Sequence, residues 1–588
     1  MNAEGRHRRF SLVLIKPSHY DDDGYVIQWL ISPIPANALA ILHGLASDCA
    51  ERRVLGDDVD LVVTAVDETN TRIDPERVAR SIGPGGGLVG LVGVQSNEFP
   101  RAMDIARRLR AAGIQVCIGG FHVSGCVAML PELTPELQEA QRLGISLFAG
   151  EAEGRLDEVL IDAQRGTLKP LYNFMADLPD IAGVPLPVLP AGIVKQTAGR
   201  TASFDAGRGC PFQCSFCTII NVQGRKSRHR SADDVEAIVR RHLAQGINHF
   251  FITDDNFARN SDWERIFDRL IQLREGEKLK IKFIIQVDTL CHRIPGFIEK
   301  AHRAGVTKTF IGLESINPES LLGAKKRQNK ITEYRKMLLA WKRVGITTYG
   351  GYILGFPSDT PETILRDIAI IQRELPLDLL EFFCLTPLPG SEDHKKLYLA
   401  GAWLDPDLNK YDVEHVTTTH PLMSRAAWEG IYEQAWRAYY SPEHMERVLR
   451  RAAATRGSFR SMAFQLLWFY GSITIERVHP LQGGYFRRKS RRDRRPSLPR
   501  EGMLVFYPRY ALEIVAKHVR LAAMFLRLRR MQQRLAREPG LRDYMDQALT
   551  PVADHELDEL ELFTVSAGAK SAVVKARKEE QARSRLAG

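Results

Sequence analysis

Three cysteines lie close together in the middle of the chain and offer the most specific chemistry in the sequence. Cys210, Cys214 and Cys217 are spaced Cys-x3-Cys-x2-Cys within one short loop. Three thiolates at this spacing can ligate three irons of a [4Fe-4S] cube and leave the fourth iron without a protein ligand. An open iron can bind a small molecule, so the spacing indicates a catalytic cluster rather than one that only transfers electrons.

Two other uses of cysteine fit this loop less well. A zinc site usually takes four Cys or His ligands in two spaced pairs, and no second pair stands nearby in the sequence. Disulfides are typical of secreted chains. Residues 1–9 are polar and basic, and the apolar stretch after them is too short for a secretory signal or a membrane span. We therefore expect a reducing, cytoplasmic location.

The cysteine loop resembles the cluster loop of the radical S-adenosylmethionine (SAM) enzymes. In that family the aromatic residue before the last cysteine, here Phe216, packs near the SAM adenine. The resemblance implies that SAM chelates the open iron and that its reductive cleavage yields a radical able to abstract hydrogen from an unactivated carbon. It also implies a flavodoxin- or ferredoxin-like electron donor.

Residues 201–395 alternate between short apolar strands and amphipathic helices, with strands expected over residues 202–206, 249–253, 282–287, 309–313, 348–354 and 380–385. Six such units match the partial (β/α)6 barrel of the resembled family, in which chemistry gathers at the carboxyl ends of the strands. The resemblance places SAM contacts at the ends of the second, fourth and fifth strands. The candidate residues there are Asp254, Asp255, Glu314, Ser315 and Gly355.

Residues 1–165 also alternate, which predicts a doubly wound parallel sheet that binds ligands beyond its carboxyl strand ends. Glycines and polar residues follow three of the expected strands. They resemble the cobalamin-binding domain found in many radical SAM enzymes, above all in the pieces Gly-Gly-x-His and Gly-Glu-x-Glu. The candidate cobalamin contacts are Gln95, Ser96, Gly119, Gly120, His122, Ser124, Gly150 and Glu151.

The chain departs from the cobalamin pattern in two places. The Asp-x-His-x-x-Gly motif that supplies a lower axial histidine in cobalamin mutases is absent, so His122 is a hydrogen-bond candidate and not an assigned cobalt ligand. The Pro-x-Gly that often precedes the first helix reads Pro35-Ala36-Asn37 here. The lower ligand of the cobalt stays open.

The remaining sequence suggests a linker and a helical C-terminal part. Residues 166–200 are Pro-rich and extended, residues 396–486 are mainly helical with an amphipathic stretch over 428–449, and residues 487–588 form a basic segment, amphipathic helices and a frayed tail. The expected class is thus α/β with a sheet domain, a barrel and a mainly helical end.

The net charge of +10 includes a dense basic run over residues 487–495. This run could contact nucleic acid phosphates or anionic lipid, or it could be a solvated, disordered linker. Residues 503–535 mix bulky apolar residues with Arg and Lys. They fit either a helix lying on a membrane or a helix packed on the barrel mouth.

Cobalamin narrows the function that the resemblance implies. It can carry a methyl group from a second SAM, so the leading interpretation is C-methylation of an unactivated carbon in a small-molecule or lipid-like substrate. One alternative is radical cyclisation, rearrangement or oxidation without methyl transfer. A second is tRNA methylthiolation, but that family has a second three-cysteine cluster for which Cys49, Cys117 and Cys126 lack the context. A third is a non-catalytic scaffold. Nucleic acid is therefore not the expected partner.

Overall fold

The computed structural model describes residues 8–83, 86–457, 459–551, 557 and 559–587. Residues 1–7 of the basic N-terminal stretch lie outside this range. The N-terminal domain contains strands β1 (Arg8–Lys16), β2 (Gln28–Ile31), β3 (Val59–Asp67), β4 (Gly87–Leu91), β5 (Gln115–Gly119), β6 (Ser146–Ala149) and β7 (Leu171–Asn173). Its helices are α1 (Asn37–Glu51), α2 (Pro75–Ile82), α3 (Phe99–Ala111), α4 (Phe121–Met129), α5 (Pro135–Arg142) and α6 (Leu156–Arg165).

The N-terminal sheet has the parallel strand order β3-β1-β4-β5-β6-β7. From β1 the chain passes to β3 at one edge of the sheet, and from β3 it crosses to β4 on the other side of β1. The strand order therefore reverses between β1 and β4. Helices cover both faces, which explains why β4 reads as a continuous apolar run. The predicted doubly wound parallel sheet is confirmed, and ligands bind such sheets at the point of reversal.

The second domain contains β8 (Thr201–Phe204), β9 (Gly207–Arg208), β10 (Arg228–His229), β11 (His249–Ile252), β12 (Lys282–Val287), β13 (Val306–Glu314), β14 (Thr347–Leu354) and β15 (Leu379–Cys384). Its helices are α7 (Ala191–Val194), α8 (Ile219–Val222), α9 (Ala232–Ala244), α10 (Trp263–Ile271), α11 (Phe297–Ala304), α12 (Pro318–Gly323), α13 (Ile331–Val344) and α14 (Pro361–Glu374). The six parallel strands run β15-β14-β13-β12-β11-β8.

This open sheet is the predicted partial barrel, and all six expected strands are present. Capping residues start several of its helices: Ser231 accepts a hydrogen bond from the Asp234 N–H before α9, and Thr360 does so from Thr363 before α14. Alternate strand residues point inward, so Phe310 and its register partner Tyr349 on the neighbouring strand lie side by side, with ring centroids 5.3 Å apart. Every second residue along each strand therefore faces the lumen.

The C-terminal part contains α15 (Glu392–Leu399), α16 (Arg425–Tyr439), α17 (Pro442–Ala454), α18 (Phe459–Gly471), β16 (Tyr485–Arg488), α19 (Met503–Leu535), α20 (Glu561–Thr564) and α21 (Ala567–Ala587). The single amphipathic stretch expected over residues 428–449 is wrong. It is two helices, because Pro442 cannot donate within a helix and Ser441 caps the second one by accepting from the His444 N–H.

The basic run is not a disordered linker. Part of it is strand β16, which pairs antiparallel with β2 of the N-terminal domain. Arg487 is buried and lies 2.9 Å from Asp21, while Arg495 pairs with Asp407 at 2.7 Å. Neighbouring carboxylates therefore hold much of this charge inside the protein.

Two other segments differ from the sequence-based expectation. Residues 166–200, expected as an extended linker, also contribute edge strand β7 and the short helix α7. Helix α21 is not a frayed tail over its described side chains, because Ala569 and Val573 are buried in the core. No helix in the described part of the chain is long and apolar enough to span a bilayer.

Candidate functional site

The three cysteines lie on the loop between β9 and α8, and hydrogen bonds hold this loop from two sides. The Cys210 N–H donates to the Gly224 carbonyl at 3.2 Å, and the Ser215 N–H donates to Ala324 at 3.0 Å. Gly209 has a φ of +86°, and a Cβ there would lie 2.5 Å from the Lys226 carbonyl oxygen, so only glycine fits. The loop thus presents its thiols from a fixed backbone.

Burial makes these thiols poor acids without a cation. It raises the pKa of Cys210 to about 11 and that of Cys217 to about 12, and the nearby Asp255 charge acts in the same direction. Thiols in such surroundings lose their protons when a metal takes the sulfur. Gln328 also donates to Cys214 Sγ at 3.4 Å, as an outer partner of a metal ligand would. This donor set fits an iron–sulfur cluster.

Phe216 and Glu314 meet at one lysine that the sequence analysis did not identify. Lys326 forms a buried ion pair with Glu314, and its Nζ lies 5.7 Å from the centre of the Phe216 ring. Phe216 also contacts Phe356, with ring centroids 6.5 Å apart. The predicted residues Phe216 and Glu314 are therefore brought together beside the cysteine loop, but the Glu314 carboxylate is already paired.

The two acidic residues after β11 have different surroundings. Asp254 accepts hydrogen bonds from the Ala206 and Gly207 N–H groups and from the Asn260 side chain, so both of its oxygens are used. Asp255 is instead exposed to a cavity, where desolvation by the enclosing protein raises its pKa to about 7. Of the two predicted ammonium partners, Asp255 is the one left available to a ligand.

The two remaining SAM candidates serve the protein's own packing. Ser315 is buried, and its hydroxyl oxygen accepts from the Asn317 N–H at 3.0 Å. Gly355 has a φ of +108°, and a Cβ there would lie 2.0 Å from the Trp428 ring. The glycine therefore admits Trp428 of α16, whose indole N–H donates to the Leu354 carbonyl at 3.1 Å.

A cavity of about 430 Å³ lies between the two domains. It opens where the N-terminal sheet reverses its strand order, beside Lys16 and Gly93. It then continues along the sheet face beneath α1 and α6, over Leu14, Gly90 and Cys117. The barrel side supplies Asp255 and the flanks of the cysteine loop. A polar mouth and an apolar channel suit a large ligand with a polar head.

Six of the eight predicted cobalamin contacts line this cavity: Gln95, Gly119, Gly120, Ser124, Gly150 and Glu151. The other two, His122 and Ser96, do not line it. His122 is fully buried on the far side of the strand ends, where Ser96 Oγ lies 3.1 Å from its Nδ1 and Glu136 lies 3.3 Å from its Nε2. We therefore withdraw both as cofactor contacts.

A buried ion-pair cluster joins the two domains at the cavity wall. Arg208 pairs with Glu151 and Glu153 of the N-terminal domain, each at 2.5 Å, and with Asp205 at 2.7 Å. Arg228 makes a further pair with Glu151 at 2.5 Å. The Gly-Glu-x-Glu piece thus attaches the N-terminal domain to the loop that carries the cysteines.

Glu381 is an acidic residue that the sequence analysis passed over, although it interrupts the apolar run of β15. It is buried in register with the lumen-facing Gly351, and its Oε2 has no hydrogen-bond partner among the described residues. Burial raises its pKa from 4.5 to about 8. The group is therefore largely protonated at neutral pH.

We expect Glu381 to make the protein less stable as pH rises. An acid with a raised pKa contributes its full stability below the unfolded pKa of 4.5 and loses it as pH passes 8. Glu381→Gln should flatten the loss of melting temperature over this window, whereas the exposed Glu433→Gln should leave it unchanged. An identical pH profile for wild type and Glu381→Gln would contradict this reading.

Comparison with known proteins finds a family model that the barrel matches. Residues 206–370 match the model of the radical SAM superfamily. The chain is 28% identical over 321 residues to bacteriochlorophyllide d C-12(1)-methyltransferase from Chlorobaculum tepidum, covering 53% of this chain and 66% of that protein. It is 24% identical over 360 residues to hopanoid C-2 methylase from Rhodopseudomonas palustris, covering 60% of this chain and 65% of that protein.

The fold has a solved counterpart. The methyltransferase TsrM from Kitasatospora setae, with cobalamin and a [4Fe-4S] cluster bound, superposes with a TM-score of 0.53 and 16% identity, over 74% of this chain and 91% of that one. The two curated relatives are matched over about two thirds of their length.

Proposed function

We propose that the chain, whose barrel matches the radical SAM superfamily over residues 206–370, is a cobalamin-dependent radical SAM enzyme. We propose further that it methylates an unactivated carbon of a small-molecule or lipid-like substrate. The cavity carries this proposal, because it joins the sheet edge of one domain to the flanks of the cysteine loop in the other. When bound, a [4Fe-4S] cluster, SAM and cobalamin would supply radical formation and methyl transfer.

The chain's own residues hold and shield these groups. In this proposal Cys210, Cys214 and Cys217 would ligate the cluster, and Asp255 would accept a hydrogen bond from the SAM ammonium. Gln95 and Ser124 line the polar mouth for the cobalamin. Because the two domains meet around this space, their junction keeps water from the reacting groups.

Methyl transfer is favoured over tRNA methylthiolation by the placement of the other cysteines. Cys117 lines the cavity on one sheet face, whereas Cys126 is buried within the core of the opposite face. Cys49 lies in α1 beside Asp157. These three thiols are spread over both faces of the sheet, so they do not supply the ligands of a second cluster. Radical chemistry without methyl transfer remains the alternative outcome of the assay.

The test is anaerobic reconstitution with iron, sulfide and hydroxocobalamin, followed by incubation with SAM and a strong reductant. Iron and cobalt content report the cofactors. Mass spectrometry reports 5′-deoxyadenosine, S-adenosylhomocysteine and methylated product. Equal yields of the two SAM products support methylation. Formation of 5′-deoxyadenosine without S-adenosylhomocysteine, with cobalt bound, would instead indicate the alternative.

Two substitutions of increasing side-chain size test separately whether the cavity holds the cobalamin. Gly90 lies in β4 on the cavity wall, where a Cβ would sit 3.2 Å from Leu14. We expect Gly90→Leu to fill the channel and lower the cobalt content at least about tenfold, with Gly90→Ala intermediate, because apolar volume there competes with the ligand. Iron content should be unchanged in both. Full cobalt retention in Gly90→Leu would place the cobalamin elsewhere.

A further inference from the structure

The outer face of α19 carries a row of exposed apolar residues that no other described element covers. At 1.5 Å per residue, the 33 residues of this helix extend about 50 Å. Its inner face packs on the protein: Phe506, Leu528 and Leu535 are buried, and Gln532 donates to the Phe459 carbonyl of α18 at 2.6 Å. The helix is thus fixed on one side and free on the other.

The free side is apolar and continuous. The exposed fractions are 92% for Leu504, 71% for Leu512 and 63% for Val519. Val515 and Leu526 extend the same stripe, since all five positions differ by sums of three and four residues. Residues on the outside of a soluble helix are ordinarily polar, so this stripe points to an apolar medium or partner.

The charges beside the stripe indicate whether an apolar medium or a partner covers it. Helix α19 carries seven Lys or Arg residues and a single acidic residue, Glu513. Glu513 is itself paired with Lys489 and Lys517. Arg520, Arg527 and Arg530 form no ion pair with any described residue, so their charge is free to meet an anionic surface. An apolar stripe flanked by unpaired Arg matches a bilayer with acidic headgroups.

We propose that α19 lies on the surface of an anionic phospholipid bilayer, with Leu512, Val515 and Val519 at the acyl boundary and the unpaired Arg residues on the headgroups. The contact is peripheral. It differs from the one first expected of residues 487–495, because the protein itself neutralises much of that run.

The same surface is connected to the barrel. Helix α18, on which α19 packs, places Phe469 against Tyr349 in the barrel lumen, with ring centroids 6.1 Å apart. A molecule dissolved in the bilayer would thus meet the enzyme beside the helix that packs against the barrel. This step rests on the proposed function and narrows its substrate to the lipid-like class. The membrane contact itself does not depend on the chemistry.

Vesicle flotation of the full-length reconstituted protein tests the contact. The probes are phosphatidylcholine vesicles with and without phosphatidylglycerol. We expect flotation only with the anionic vesicles, weakening as salt is raised. The Leu512→Glu/Val519→Glu double variant should bind at least about tenfold more weakly. Leu322→Glu/Leu399→Glu, which alters exposed leucines on α12 and α15, is the matched control and should bind like the wild type.

Charge is tested by Arg520→Gln/Arg527→Gln, which should weaken binding roughly fivefold per residue while leaving iron content intact. Absence of flotation by folded, iron-loaded protein would overturn the proposal. So would a dimer seen by light scattering that Leu512→Glu/Val519→Glu dissociates, because a second copy would then cover the face. Since flotation needs no SAM turnover, its failure is distinguishable from failure of the methylation assay.

Discussion

Cys214→Ala should lose its iron and sulfide and form no 5′-deoxyadenosine. The thiol is buried, receives a hydrogen bond from Gln328, and lies between the two other cysteines on a loop whose backbone is fixed at both ends. The neighbouring Lys326 cannot take its place, since it has no lone pair to offer while protonated. The measurement is iron and sulfide content with the electron paramagnetic resonance spectrum after reduction.

The matched control is Cys291→Ala, which removes a buried cysteine from the same barrel. Cys291 lies at the end of β12 among apolar core residues, so its loss costs packing and leaves the cluster content unchanged. A Cys214→Ala protein that keeps a full cluster would show that the three-cysteine loop is not the cluster site. A loss of cluster in both variants would show that the assay reports folding.

Most strands of the two sheets were predictable because they are short apolar runs that alternate with amphipathic helices, whereas edge strand β7 lies in residues expected to form a linker. The expected range 282–287 agrees fully with β12. The positions after the strands were harder to interpret. His122 comes only three residues after the end of β5, yet α4 begins at Phe121 and turns the imidazole to the far side of the sheet. A position after a strand does not reveal which face its side chain takes.

Contacts between residues far apart in the sequence could not be predicted, for a different reason. Glu151 and Arg208 are 57 residues apart, and nothing local to either one indicates the other. The same holds for Lys326 and Phe216. By contrast, the break between α16 and α17 had a local signal in Ser441-Pro442, and Glu381 stood out as the one acid in an apolar strand. These two were readable from the sequence.

Arg208→Met is expected to destabilise the protein by about 3–5 kcal/mol, because it leaves buried carboxylates without their cation. Glu153 is the most affected, since Arg208 is its ion-pair partner among the described residues. Asp205 and Glu151 keep Arg230 and Arg228. The measurement is the free energy of unfolding in urea for the transition that includes the N-terminal domain, followed by cobalt content.

Two further variants separate this effect from ordinary surface charge loss. Arg240 also pairs with two carboxylates, Glu236 and Glu277, but its side chain is 44% exposed, so Arg240→Met should cost no more than about 1 kcal/mol. Adding Glu153→Gln to Arg208→Met should recover roughly 1–3 kcal/mol, because a neutral amide no longer leaves a buried charge unpaired. Equal losses for Arg208→Met and Arg240→Met would mean that the buried cluster does not hold the domains together. The cavity between them would then need another source of rigidity.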